Sequence, residues 1–360
     1  MNIFDYINAN EIATYLQELP SNKIAYLGAV LFPKKTQVGT DISWLKGSEG
    51  LPITIQPSNY DAKASVRERS GFGKVATEMA FFRESMRLGE KDRQQINQLM
   101  GTQNIAMVKP FLDRIFDDVK TLSDSVDAQA EYMRMRLIQE GKFTVASTDG
   151  SAQYVYDYSM NQDHIATPAT KWTDHANSDP IKDIKAMQDK IETDTGVRPT
   201  RMILNRNTFL DMIASDSLRK SLMIGQAGSY VDLRLSDSQY SNYIETQLGI
   251  KIEVYSKKVG IFKDSAFIRN PEAATPTSLI DDGNVVLIPE GNLGKTWFGT
   301  TPEQSDLQAG TSVAKVTTLA NGATLTTYKE VHPVNVVTIV SAVMVPSFEA
   351  IDSVGVLKTK

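Results

Sequence analysis

The sequence predicts an α+β fold in which one long helix stands between a β-rich region and a region of alternating helices and strands. Three observations predict it. Residues 27–85 alternate between apolar and polar over short runs that Gly and Pro interrupt. Apolar residues then recur at steps of three and four along 108–137, the spacing of one helix face. From about residue 170, helical and strand patterns follow one another, and β character returns near the C-terminus.

The composition is that of a globular protein and favours two domains. In 360 residues, 41% are hydrophobic and 22% are charged, so the chain can bury a sizeable core. The formal net charge of −5 gives no basic bias toward nucleic acid. The N-terminal segment lacks the pattern of a signal peptide, and no apolar run approaches the roughly 20 residues that span a bilayer. We therefore expect no membrane partner.

Residues 27–85 form a segment that is too long and too thinly apolar to pack on its own domain. We interpret it as an extended β-hairpin arm that packs on another chain. A short amphipathic helical region at 3–18 precedes it and ends at Pro20. The candidate contact residues near the tip of the arm are Arg67, Glu68, Arg69, Phe72 and Lys74.

The charges at this tip are open to three interpretations. They fit a solvated loop, or they pair with acidic groups on a neighbouring subunit. Nucleic-acid binding is the least favoured, because Phe72 is the only aromatic residue among them and the whole chain is acidic.

The strongest periodic signal predicts one helix over about 108–140. Asp113, Asp117 and Asp118 lie near its start, whereas Arg134 and Arg136 lie near its end, as the helix dipole favours. About thirty residues make a rod of roughly 45 Å. It is either an ordinary core helix or a spine that spans the protein. The apolar stripe that defines its core face includes Val108, Leu112, Ile115, Val119, Leu122 and Val126.

Residues 142–159 then predict a hairpin, and Asp179-Pro180 opens a helix that ends before Gly196. Further strands are predicted at 201–205, 251–256 and 284–289, with helical segments at 206–223 and 236–248. Asn321-Gly322 predicts a hairpin turn, and 336–346 predicts a buried strand.

The stretch VVLIPEGNLGKTW, at 285–297, raises the possibility of a phosphate-binding loop, because a strand and glycines precede Gly-Lys-Thr. Such a loop needs a first glycine five positions before Gly294, and that position holds Pro289. Proline removes a backbone N–H where the phosphate would need one. The sequence after Trp297 is also unlike the start of a helix. A turn between two strands is therefore the favoured interpretation.

Little else in the sequence carries candidate chemistry. The chain has no cysteine, which excludes disulfides, thiolate nucleophiles and cysteine-ligated metal sites. Its three histidines, His164, His175 and His332, lack the spacing of metal ligands, so surface or core roles are favoured. No nucleophile motif or calcium loop is present. We expect no catalytic residues, no cofactor and no metal, and we predict that the protein is not an enzyme.

The order of these elements resembles the major capsid protein of tailed bacteriophages, with the Hong Kong 97-like fold, and more narrowly the lambda-type E family. Three stretches carry the resemblance: LFPKKTQVGTDISW; GKFTVASTDGSAQYVYDYSMNQDHIATPATKW followed by SDPIKDIKAM; and TIVSAVMVPSFEAIDSVGVLK. No single motif is diagnostic, and the specificity lies in their order across nearly the whole chain.

The resemblance implies a division of the chain into named parts. These are an N-terminal arm at 1–35, an extended β-hairpin E-loop at 36–85, a peripheral domain at 86–165 with a spine helix at 108–140, an axial domain at 166–324, and C-terminal strands of the peripheral domain at 325–360. The Arg67–Lys74 tip would then be an inter-subunit contact on the E-loop.

The function that the resemblance implies is a major capsid protein that self-assembles as pentamers and hexamers. The resulting icosahedral head would enclose double-stranded DNA without sequence-specific binding. Its implied partners are other copies of itself, a separate scaffolding protein, a portal protein and, less firmly, a decoration protein. Its implied location is the virion capsid, after assembly in the host bacterial cytoplasm. Another phage structural protein, such as a tail-tube component, is the alternative, although a tube protein should be mostly β.

Overall fold

A computed structural model describes residues 25–46, 73–88, 105–146, 153–223, 236–262, 274–306, 314–330 and 335–360, with the isolated positions 90, 94 and 98. The described chain forms two compact units. The first consists of Ala76–Arg134, Lys295–Ser347 and the described part of Met1–Ile42. The second consists of Met135–Gly294, Phe348–Lys360 and the described part of Ser43–Val75.

The described residues contain these helices: α1 Leu27–Leu31, α2 Ile105–Glu140, α3 Pro180–Thr195, α4 Arg206–Ala214, α5 Asp216–Met223, α6 Asp237–Leu248 and α7 Pro302–Asp306. The strands are β1 Lys34–Thr36, β2 Asp41–Lys46, β3 Gly73–Glu78, β4 Ala80–Leu88, β5 Lys142–Ala146, β6 Gln153–Asp157, β7 Ile165–Ala166, β8 Arg201–Leu204, β9 Lys251–Val254, β10 Lys258–Ile261, β11 Thr275–Ser278, β12 Asn284–Ile288, β13 Gly294–Gly299, β14 Lys315–Thr318, β15 Thr324–Lys329, β16 Val336–Phe348 and β17 Gly355–Lys358. Among the described helices, none is both long and apolar enough to cross a bilayer.

The first unit is organised around a six-stranded sheet with β16 at its centre. The strand order is β1-β13-β16-β15-β14, and β4 also pairs with β16. The sequence of β16, VVTIVSAVMVPSF, is almost entirely buried, which is why this strand reads as a continuous apolar run rather than as an alternation. Ser341 of β16 lies opposite Thr324 of β15 and Arg83 of β4. These three side chains therefore lie on the same face of the sheet, because directly opposite strand residues share a face.

Helix α2 begins at Ile105 and ends at Glu140, so the predicted long helix is present and starts slightly earlier than expected. Its residues as far as Arg134 belong to the first unit, and those from Met135 belong to the second. Gly141 ends it with a φ of +67°, and its N–H donates to Leu137 O at 2.8 Å. A Cβ at Gly141 would lie 2.3 Å from Cβ of Met160, so glycine is required there for both conformation and space.

The second unit holds a five-stranded sheet in the order β7-β17-β12-β8-β9. Strand β12 is antiparallel to both neighbours, whereas β8 pairs with β9 in parallel. Helix α3 starts where the Asp179 side chain accepts the Lys182 N–H at 3.3 Å, and it ends at Gly196, whose φ is +75°. The core of this unit includes Trp172, Ile184, Ile191, Met202, Leu204, Phe209, Ile244, Val285, Leu287 and Leu357.

Strand β4 pairs in a way that the sequence did not indicate. Strand β4 starts at Ala80, inside the segment 36–85 predicted as an arm, yet it pairs with β16 over nine residues. Strands β2 and β3, also from that segment, pair with each other. The predicted helical region at 3–18 and the tip residues 67–72 lie outside the described residues.

The limits of the two units also differ from those of the predicted domains. Strands β13 and β14, within the segment 166–324 assigned to the axial domain, join the sheet of β16. Strand β17, within 325–360, lies between β7 and β12 in the other sheet. The reason is that strand pairing joins segments far apart in the chain, and local patterns carry no information about that pairing.

Candidate functional site: two polar clamps on the long helix and an exposed strip on β4

The first clamp fastens α2 to the chain segment at 25–36 and to β13, all within the first unit. It consists of Gly28, Phe32, Glu131, Arg134 and Thr296. The buried Glu131 carboxylate accepts the Gly28 N–H at 2.8 Å and pairs with Arg134 at 3.3 Å. The Arg134 Nε donates to Thr296 Oγ1 at 2.8 Å, and that hydroxyl donates to Phe32 O at 3.0 Å. Three separate parts of the chain are therefore held by one buried network.

This arrangement makes the buried charges of the first clamp compensate each other. Glu131 is 0% exposed and Arg134 is 6% exposed, so neither charge is hydrated as it would be at the surface. A buried ion pair is tolerated because each charge satisfies the other, and removal of one partner is costly. The first clamp therefore connects α2 with the segment at 25–36 and with β13 through buried polar contacts.

The second clamp fastens the last turns of α2 within the second unit. It consists of Arg136, Gln139, Leu279, Asp281 and Asn284. The buried Gln139 amide donates to Leu279 O at 2.9 Å and accepts from Asp281 N at 2.9 Å and from Asn284 Nδ2 at 3.0 Å. The Arg136 guanidinium donates two hydrogen bonds to the Asp281 carboxylate, at 2.5 and 3.1 Å.

A half-buried carboxylate, Asp127, lies on α2 one helical turn before Glu131. Asn321 donates to Ser123 Oγ at 3.2 Å, one helical turn before Asp127. Lys34 donates to Ala320 O at 2.9 Å beside the same turn. Burial raises the pKa of Asp127, although the nearby Asn321 amide and nearby cations act in the opposite direction. Burial also lowers the pKa of Lys34.

An exposed strip runs along β4. It consists of every second residue of the strand, namely Phe81, Arg83, Ser85 and Arg87, which lie on one face. The Arg83 guanidinium forms an ion pair with Glu303 and stacks over the Phe81 ring at 4.7 Å from its centroid. Glu303 is buried, and its other oxygen accepts from Ser341 Oγ at 2.9 Å. The strip therefore holds an aromatic ring and a cation in a fixed orientation at the surface.

The residues predicted to form the helix stripe and the arm tip fall into three groups. Val119, Leu122 and Val126 are buried on α2. Val108, Leu112 and Ile115 lie on the same helix, in its part where only the backbone is described. Of the tip residues, Lys74 lies on β3, and the others lie outside the described residues: Arg67, Glu68, Arg69 and Phe72.

The Gly-Lys-Thr stretch lies on a strand. Residues 284–288 form β12 and 294–299 form β13, so the predicted turn between two strands is confirmed. The Lys295 N–H donates to Ser347 Oγ at 3.1 Å, and the Thr296 hydroxyl belongs to the first clamp. These groups therefore make hydrogen bonds within the protein: Lys295 to the neighbouring strand β16, and Thr296 to α2 and the segment at 25–36.

The described histidines pair with carboxylates. His164 is buried and lies 3.0 Å from Asp194 Oδ2, and His175 lies 3.5 Å from Asp211 Oδ1. In the described part of the chain, no group of three or more His, Asp or Glu side chains is placed to share a metal ion.

Sequence reasoning missed the polar members of both clamps. A usable signal exists, because Glu131, Arg134 and Gln139 are interspersed with apolar residues such as Met133, Met135 and Leu137 in AQAEYMRMRLIQE. Polar residues that are buried with such apolar neighbours need hydrogen-bond partners.

A family model that describes the phage major capsid protein E matches residues 8–344. This match covers nearly the whole chain. The chain belongs to the phage major capsid protein E family. Its function is accordingly that of a major capsid protein of a tailed phage, which associates with copies of itself in a shell and is located in the virion capsid.

Solved structures similar to this family member confirm the Hong Kong 97-like fold. A prophage protein of Escherichia coli CFT073, assigned as a capsid protein, shares 15% identity over 98% of this chain and 99% of its own, with a TM-score of 0.59. A phage-related protein from Bordetella bronchiseptica RB50 shares 13% over 98% and 97%, with a TM-score of 0.54. The cyanophage A-1(L) capsid shares 16% over 92% and 91%, with a TM-score of 0.51. No curated protein sequence matches the chain.

Proposed function

We propose that this capsid protein assembles as pentamers and hexamers that close into an icosahedral head around double-stranded DNA. The observation that carries the proposal is the family match over residues 8–344. The net charge of −5 supports containment without sequence-specific binding, because a strongly basic wall would retain DNA by counterion release. A protein that forms a shell has a mechanical role, so we propose that this protein is not an enzyme.

The subunit contacts are proposed to involve the E-loop at 36–85, whose described strands β2 and β3 pair with each other. Its tip residues Arg67, Glu68, Arg69, Phe72 and Lys74 combine three cations with one anion and an aromatic ring. Such a set suits pairing with acidic groups of a neighbouring subunit. The division into N-terminal arm, E-loop, peripheral domain and axial domain is part of this proposal, with the limits moved so that β4, β13 and β14 go with β16 and β17 goes with β12.

Three further partners are proposed. A separate scaffolding protein directs assembly in the host bacterial cytoplasm, a portal protein occupies one vertex, and a decoration protein is an additional candidate. A tail-tube role is less favoured, because α2 spans 36 residues and a tube protein should be mostly β.

Sedimentation velocity on the purified chain, alone and with its scaffold, tests this proposal. We expect capsomers or shells, because the chain belongs to a capsid protein family whose members associate with copies of themselves in a shell. The double variant Arg67→Glu and Arg69→Glu should shift the distribution toward monomers of about 40 kDa. The matched control is Lys182→Glu with Lys185→Glu, at two exposed positions on α3, which should assemble like the wild type. A single monomeric species of wild type at all salt and protein concentrations would contradict the proposal.

A further inference from the structure

The hairpin of β2 and β3 joins the first sheet at a break between two strands. Strand β3 ends at Glu78 and β4 begins at Ala80, so Met79 lies between them. After the break, β4 pairs with β16 over nine residues, beginning with Ala80 opposite Met344. Before the break, β3 pairs with β2 in a sheet of two strands. Because two strands alone are marginally stable, the support for this part of the chain changes at Met79.

Met79 lies in a closely packed socket, which consists of Met79, Gly39, Gly299 and Val343. The Met79 side chain is 2% exposed. A Cβ added to Gly299, at the end of β13, would lie 2.5 Å from Gly39 O, 2.8 Å from Met79 Cε and 3.0 Å from Val343 Cγ1. Since no carbon atom fits there, the missing side chain of Gly299 allows the other three residues to meet around it.

Backbone hydrogen bonds hold the chain at the same place. The Met79 N–H donates to Thr40 O at 2.8 Å, and the Gln37 N–H donates to Phe298 O at 2.9 Å. The Gln37 side-chain amide also donates to Asp41 O, which closes the loop at 38–40. Both chain segments that lead into the β2–β3 hairpin are therefore bonded to each other and to β13 before the hairpin begins.

We propose that Met79 is an anchor that holds the base of the β2–β3 hairpin on the first sheet, so that the hairpin bends within β2 and β3 and not at its junction with β4. Strand β4 is held on its far side as well, because Arg83 pairs with the buried Glu303. The anchor is a property of a single chain and does not depend on shell formation.

Hydrogen–deuterium exchange of the full chain tests the anchor, because the Met79 amide is protected only while its bond to Thr40 is intact. Met79→Ala empties the socket and should speed exchange at 37–42 and at position 79 by about tenfold or more. Exchange at 43–46 and 73–77 should not change, because the pairing of β2 with β3 controls it. Exchange of β4 and β16 should also match the wild type.

Four further variants separate the anchor from a general loss of stability. Met212→Ala makes the same deletion at a methionine that is 0% exposed in the second unit, and it should leave exchange at 37–42 unchanged. Met79→Leu keeps the socket filled and should exchange like the wild type. Gly299→Ala adds a methyl group where none fits and should speed exchange at 37–42 as Met79→Ala does. Met79→Val is the milder deletion to use if Met79→Ala does not fold, and it should give the same pattern.

Two results would overturn the anchor. One is exchange at 37–42 that stays at the wild-type rate in both the Met79 deletion and Gly299→Ala. The other is faster exchange that extends equally over β4 and β16, because Met79 would then be an ordinary core residue of the whole sheet. Faster exchange that extends through 43–46 and 73–77 would contradict a bend within β2 and β3.

Discussion

The Glu131 carboxylate accepts the Gly28 N–H at 2.8 Å across 103 residues of sequence. Gly28 lies in the first turn of α1, where backbone N–H groups have no partner within the helix. A carboxylate there satisfies one of these donors and complements the helix dipole. Since Glu131 also pairs with Arg134, one side chain both orders the segment before the arm and neutralises a buried cation.

Replacing Glu131 with leucine should be among the most destabilising single changes in the described chain. It leaves Arg134 buried without its counter-charge and removes the acceptor of Gly28, at a cost of about 3–5 kcal/mol. The free energy of unfolding, from urea denaturation followed by circular dichroism, measures the loss. Asp117→Leu, at an exposed position of the same helix, is the control and should stay close to the wild type. A loss no greater than in the control would mean that the pair contributes nothing.

Leu122→Asp should prevent folding or assembly. Leu122 is 1% exposed, and an unpaired charge at such a position costs several kcal/mol, on the order of 3–5. Thr121→Asp places the same residue at the adjacent exposed position and should yield soluble, folded protein. Soluble yield and melting temperature distinguish the two variants. If both behave like the wild type, Leu122 does not lie on a core face.

Gln139→Glu should destabilise the second unit although the shape of the side chain hardly changes. The amide donates to Met135 O at 2.7 Å and to Leu279 O at 2.9 Å, and a carboxylate would face those oxygens without a proton to donate. A loss of about 2 kcal/mol or more is expected, measurable as a lower melting temperature. Gln153→Glu, at an exposed position on β6, serves as the control. Equal melting temperatures for the two variants would argue against the second clamp.

Asp282 should make the protein more stable at neutral pH than in acid. Burial alone would raise its pKa, but hydrogen bonds from Asn207 and Asn205 and the charge of Lys360 outweigh it and lower the pKa. The stabilisation is therefore present above the ordinary carboxyl pKa and is lost as the pH falls through the lowered value. It should be small, because the Asp282 side chain is 45% exposed.

Thermal melts of Asp282→Asn and wild type across pH test this prediction. The variant should be slightly less stable at neutral pH and equal to the wild type in strong acid. A difference that persists unchanged in acid would exclude the carboxylate charge as its cause. Asp352→Asn, at a half-buried position near the C-terminus, is a suitable reference variant.

The elements that sequence patterns predicted well are those whose signals are local. The stripe through Leu122 predicted α2, and Asp179-Pro180 with Gly196 predicted the limits of α3. Pro289 was sufficient to reject a phosphate loop at Gly294, and β12 and β13 are both strands.

The elements that were not predictable depend on pairing between distant segments. Strand β4 was assigned to the arm, because nothing near Ala80 indicates that Val343 and its neighbours lie opposite. The Glu131–Gly28 bond and the Gln139–Leu279 bond span more than a hundred residues each, and neither leaves a local trace beyond a polar residue in an apolar setting. Burial patterns identify such residues as needing partners but do not identify the partners.

Cryo-electron microscopy of the particles formed by the chain, expressed with its scaffold, tests the central claim most directly. The account predicts closed icosahedral shells of pentamers and hexamers, in which every subunit shows the 36-residue α2 and the six-stranded sheet around β16. Open tubes built from stacked rings, or dispersed monomers with no shell under any assembly condition, would contradict it.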